Sequence, residues 1–120
     1  MTPREQKIRE DLRSGWMDVD DALWVVKREL ETNESASLLI LQAVLIQLSS
    51  SGSHGLDDAR RCLERAIELA PDDGEAYEAL GRFYDSAEPD RVKAEMFYRL
   101  ALAKGAGEEC QQALDELLAQ

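Results

Sequence analysis

The sequence predicts an all-α protein built from antiparallel helical hairpins stacked side by side. Apolar residues recur at spacings of three and four through most of the chain, and no stretch alternates as a β-strand does. Residues 36–48 are apolar at ten of thirteen positions and on every side of a helical projection, the pattern of a helix buried between neighbours or in a membrane. At ~1.5 Å per residue that helix rises about 20 Å, short of a ~30 Å hydrocarbon core, so protein must surround it. Finally, Val19-Asp-Asp-Ala22 returns as Leu56-Asp-Asp-Ala59, a self-similarity that marks repeated units.

Each element has its own signals. Thr2 is an N-cap with Pro3 at the first helical position and Glu5 in the first turn, and Ile8 and Leu12 give a thin stripe ending at Ser14-Gly15. Asp18 caps a second helix through Leu30. Its apolar face is Val19, Ala22, Leu23, Val26 and Leu30, widened by Trp24 and Val25 towards a second neighbour. The turn at 32–35 carries capping residues into the central helix, and the Ser/Gly-rich run 49–55 is the clearest loop. A helix then starts at Asp57 or Asp58 and presents Ala59, Leu63, Ala66, Ile67 and Ala70, with Pro71-Asp-Asp-Gly74 stopping it. Glu75 to Tyr84 turn Ala76, Tyr77, Leu80, Phe83 and Tyr84 inward. Arg91 to Lys104 do the same with Ala94, Phe97, Tyr98, Ala101 and Leu102. Gly105-Ala-Gly107 ends that helix. The last begins at Glu108-Glu109, which suit a helix N-terminus, and its stripe is Cys110, Ala113, Leu114, Leu117 and Leu118.

One hundred and twenty residues suit one domain. The net charge of −11 is uneven: residues 56–90 hold −7, whereas 35–55 contain no Asp, Glu, Lys or Arg. Such acidity repels phosphate backbones and anionic headgroups, which argues against nucleic-acid or membrane-surface partners; it aids solubility and suits a basic partner. No apolar stretch precedes Leu38, so a signal peptide is not expected. Cys62 and Cys110, 48 positions apart and without a CxxC, fit a reducing, cytoplasmic setting and behave as small apolar residues. The single histidine, His54, has no ligand-type neighbour at metal-binding spacing. The paired carboxylates Asp57-Asp58 and Asp72-Asp73 sit at helix starts and turns, where capping accounts for them. No catalytic, phosphate-binding or metal motif is present, so neither an enzyme nor a cofactor is expected.

Between residues 76 and 101 the repeat becomes specific. Tyr77, Leu80, Gly81, Tyr84, Ala94, Tyr98 and Ala101, with Pro71 closing the preceding unit, resemble the tetratricopeptide repeat, and the stretch 94–105 is also similar to the related Sel1-like repeat. The resemblance implies an α-solenoid: a degenerate hairpin over 1–34, a second hairpin over 35–73 with the long loop 49–55, a third over 74–107, and a capping helix over 108–120. Gly81 lets the two helices of its hairpin approach. Gln42 stands where the middle unit should have a small residue, and splayed packing is expected there.

The family's usual role implies a protein–protein interaction module of adaptor or scaffold type, holding a partner polypeptide in a concave groove. Groove positions by that resemblance are Leu39, Ala43 and Ile46 in the middle unit and Glu78, Arg82 and Asp85 in the third. The apolar triplet is either an open, greasy groove or a face that the first helix folds over. Ile46→Glu separates these. If the fold survives, the face is open; if it unfolds, the face is core and the groove idea fails. Two other functions fit the composition: a small acidic chaperone or immunity-type neutraliser for one client, and a self-associating module whose apolar face closes a homodimer.

Overall fold

The computed structural model describes residues 2–49 and 55–120. They form seven α-helices and, among the described residues, no β-strand: α1 Pro3–Ser14, α2 Val19–Thr32, α3 Ala36–Leu48, α4 Leu56–Leu69, α5 Gly74–Arg82, α6 Arg91–Ala103 and α7 Glu108–Leu118. Most of the loop after α3, including His54, lies outside the described residues.

The helix boundaries follow local chemistry. Thr2 Oγ1 accepts from the Glu5 N–H, Asp18 from that of Asp21, and Ser35 from that of Leu38, each filling one of the orphan donors of a helix start. Gly15 ends α1 at φ 85°, a conformation glycine adopts without a Cβ penalty. α4 starts at Leu56, just before the expected Asp57. Glycine at its cap offers no side chain, so only the reverse contact forms, from the Gly55 N–H to the Asp58 carboxylate.

Sequential helices pack on one another, most extensively α3 on α4 and α5 on α6, and α3 also reaches α5. The positions that recur in the sequence recur in the core. Ala22, Ala59 and Ala94 are completely buried, and so, one turn on, are Val26, Leu63 and Tyr98. A further turn on, Ala66 and Ala101 are buried alanines, but α2 has Glu29 there. Its carboxylate is held by Arg4 at 3.2 Å and by the Asn33 side-chain amide. A carboxylate thus stands in α2 where α4 and α6 place a methyl group.

Two close approaches set the spacing of α5 and α6. A Cβ on Gly81 would lie 2.5 Å from Tyr98 Cδ1, and one on Gly74 would lie 2.7 Å from the Ala101 carbonyl oxygen. The expected splaying around Gln42 does not occur. Its side-chain oxygen accepts from Cys62 Sγ at 3.0 Å, so the larger side chain joins α3 to α4 instead of prising them apart.

Three further expectations need correction. Trp24 is 62% exposed, because the guanidinium of Arg28 lies over its ring rather than a second helix. Leu118 is exposed at the fraying end of α7. The central apolar triplet is core: Leu39, Ala43 and Ile46 are 6%, 0% and 6% exposed. With α2 along one flank and α4 along another, the edge of α3 left open carries Val44 and Leu48 instead.

Candidate functional site

The open edge of α3 faces α5 across a hollow of about 290 Å³. Ile40, Val44 and Gln47 form one wall, Glu75, Glu78, Ala79 and Arg82 the other, and Leu63 contributes from α4. Its volume is at the lower end of the ~300–1,000 Å³ typical of ligand clefts, room for a few side chains rather than a whole cofactor.

Of the residues expected to form a groove, Glu78 and Arg82 line this hollow. They lie one turn apart on α5, and the Arg82 guanidinium donates to the Glu78 carboxylate at 3.0 and 3.2 Å, so each largely satisfies the other. Leu39, Ala43 and Ile46 are in the core, as described. Asp85 points elsewhere for a local reason. After Arg82 the helix widens into a single π-turn over Phe83–Ala87, closed by the Glu88 N–H donating to the Phe83 carbonyl. Asp85 there accepts from the Tyr98 hydroxyl at 2.9 Å. Burial, with the Asp85 carboxylate beside it, holds that phenol well above its usual range. Asp85 is therefore a support for the Tyr98 ring on which Gly81 rests.

Residues 40, 44, 47, 75 and 79 were not legible as a wall. On a helix apolar all round no polar face fixes the rotation, and a shift of one residue turns it by about 100°. The signal available was Gln47, whose polar side chain marks the open edge and donates to its own Ala43 carbonyl.

α1 approaches Glu75, whose carboxyl feels the charges of both Glu5 and Arg9. Glu5 is buried there, accepting from the Ser35 and Ser37 hydroxyls and ion-paired at 3.9 Å with Arg9, which also donates to the Ser37 carbonyl. The cluster ties α1 to the start of α3. A second hollow of about 390 Å³ lies between α1 and α2. Its rim charges are already matched, Arg4 with Glu29 and Lys7 with Asp11, so nothing there asks for a ligand of particular charge.

The chemistry of reactive groups is sparse. Burial, reinforced by Asp58, pushes the Cys62 thiol up to about 11, leaving roughly one thiolate in a thousand at pH 8. Folded protein is thus expected to resist iodoacetamide at pH 8, followed by mass spectrometry, while urea-unfolded protein is alkylated fully. The folded rate should climb about tenfold per pH unit until pH approaches the thiol's own value. No group of three or more His, Cys, Asp or Glu among the described residues converges as metal ligands would. Among the described residues no helix is long and apolar enough to cross a membrane.

Comparison with family models, with curated proteins and with solved structures returns no match. Any functional reading therefore rests on the residues themselves.

Proposed function

We propose that the chain is a helical-hairpin repeat protein of tetratricopeptide type that binds a segment of another polypeptide in the hollow between α3 and α5. The hollow itself carries this reading: it has an apolar wall with Val44 42% exposed, opposite a wall of polar and charged groups on α5. An apolar floor with a few directional polar groups suits a peptide, whose side chains supply the apolar contact and whose backbone and ends supply the polar ones. The repeated burial of Ala22, Ala59 and Ala94 supports a stack of like units, and the contact of α3 with α5 supports alternate helices sharing one face.

Val44→Glu tests this function. The substitution sits on the open edge, so far-ultraviolet circular dichroism should be unchanged. A segment selected from a displayed random-peptide library against the wild-type protein should lose at least tenfold in affinity for the variant, because a carboxylate replaces apolar contact. Selected segments that bind the variant equally well would remove the hollow from the account.

Self-association is the second reading, favoured by Val92, Met96 and Leu100, exposed by 79%, 47% and 37% at four-residue intervals along α6. Light scattering across micromolar concentrations checks it; a monomer throughout counts against it.

A further inference from the structure

Glu75, in the first turn of α5, is the unmatched charge of the hollow. Among the described residues its carboxylate has neither an ion pair nor a hydrogen bond; only its backbone N–H is engaged, by the Asp73 cap. None of the nearby cations bonds it: Arg82 serves Glu78, Lys104 serves Asp72 at 3.3 Å, and Arg9 lies at 3.9 Å from Glu5 and bonds Ser37, with its buried Nε unpartnered and its charge acting on Glu75 only at longer range. Meanwhile Asp73, Glu78 and Glu5 add negative charge around it. Glu75 and Glu78 also border a third hollow, of about 230 Å³, that runs on towards Lys104 and Gly105. The two carboxylates thus form a ridge at the middle of a longer surface, with the apolar wall of Ile40 and Val44 on one side.

We infer that the segment bound in the hollow is basic: a lysine or arginine side chain lies on Glu75, and an adjacent apolar side chain covers Ile40 and Val44. This rests on the hollow being a peptide site, as proposed above, and adds the chemistry of the occupant. Charge complementarity decides it. An acidic segment would bring further negative charge against Glu75, Glu78, Asp73 and Glu5, within a chain of net charge −11. A cation there gains a carboxylate that no internal hydrogen bond or ion pair occupies. Burial of part of the group first, then Asp73, raises the Glu75 carboxyl above its ordinary value, against the pull of Arg9. The side chain is nonetheless exposed, so a partner can reach it.

The test uses the whole chain, a displayed random 12-residue peptide library, and the selected peptide labelled with fluorescein for anisotropy titration. Selected sequences should place Lys or Arg beside an apolar residue. Glu75→Gln should weaken their binding about tenfold and flatten its dependence on salt between 50 and 300 mM. The same substitution should leave the thermal midpoint at pH 7 nearly unchanged, since an exposed side chain without an internal partner is altered. A residue with only a structural role would not weaken binding while leaving the stability of the fold unchanged. Neutral or acidic binders that are sensitive to Val44→Glu yet indifferent to Glu75→Gln would overturn this inference and leave the peptide site standing. Absence of any binder sensitive to Val44→Glu would overturn both.

Discussion

Replacing Gly81 with leucine should unfold the protein. Even a single Cβ at that position comes to 2.5, 2.7 and 3.1 Å from three ring carbons of Tyr98, where about 3.4 Å is ordinary contact. The ring cannot step aside, being 1% exposed and tethered through its hydroxyl to Asp85. Alanine should therefore cost about 2–3 kcal/mol, the range found when a tight core is overpacked. Leucine adds three more heavy atoms to the wedge and should exceed ~4 kcal/mol, a large part of the ~5–15 kcal/mol that holds a domain of this size together. Urea titration followed by circular dichroism measures both. Gly107→Ser is the control. Nothing lies within 4 Å of a Cβ there, φ is −91°, and serine at an N-cap gains a hydrogen bond, so stability should be unchanged or slightly higher.

Ile46→Glu should likewise abolish the native state. The side chain is 6% exposed in the same cluster as Val26, Leu38 and Leu63. The substitution forfeits about 2–3 kcal/mol of apolar burial and asks an ionised carboxylate to sit without a partner, which costs several kcal/mol more. The sharper observation is the contrast with Val44→Glu, two residues away and equally drastic on paper. Residues two apart on a helix point in different directions, so one variant should melt below room temperature and the other fold normally. Equal behaviour of the two, by circular dichroism and urea midpoint, would mean that α3 is rotated from the orientation described.

Those two residues also mark how far the sequence can be read. The helix starts were legible because a capping side chain and the N–H it satisfies are neighbours in the chain: Thr2, Asp18 and Ser35 all act locally. Much of the core was legible for α4, α5 and α7, where apolar and polar residues fall on opposite faces and fix the helix rotation. On α3 they do not, and its open edge was placed one residue out. Asp85 went astray for another reason. A π-turn adds a residue to the helical repeat and carries the carboxylate round to Tyr98, and neither Gly81 before it nor Pro89 after it specifies that widening. Gln42 and Cys62, twenty residues apart, meet only because α3 and α4 pack along their length, a contact invisible to local pattern. Trp24 shows the reverse error. An aromatic residue beside an apolar stripe looks buried, yet a cation one turn on the same helix is enough to hold it at the surface.

The proposal that the α3–α5 hollow receives a protein segment is tested most directly by mapping amide chemical shifts of isotope-labelled protein during titration with a selected basic-apolar peptide. The account predicts that the largest shifts fall on Ile40, Val44 and Gln47 and on Glu75, Glu78, Ala79 and Arg82. Shifts concentrated instead along Val92, Met96 and Leu100, or around Trp24 and Val25, would contradict it.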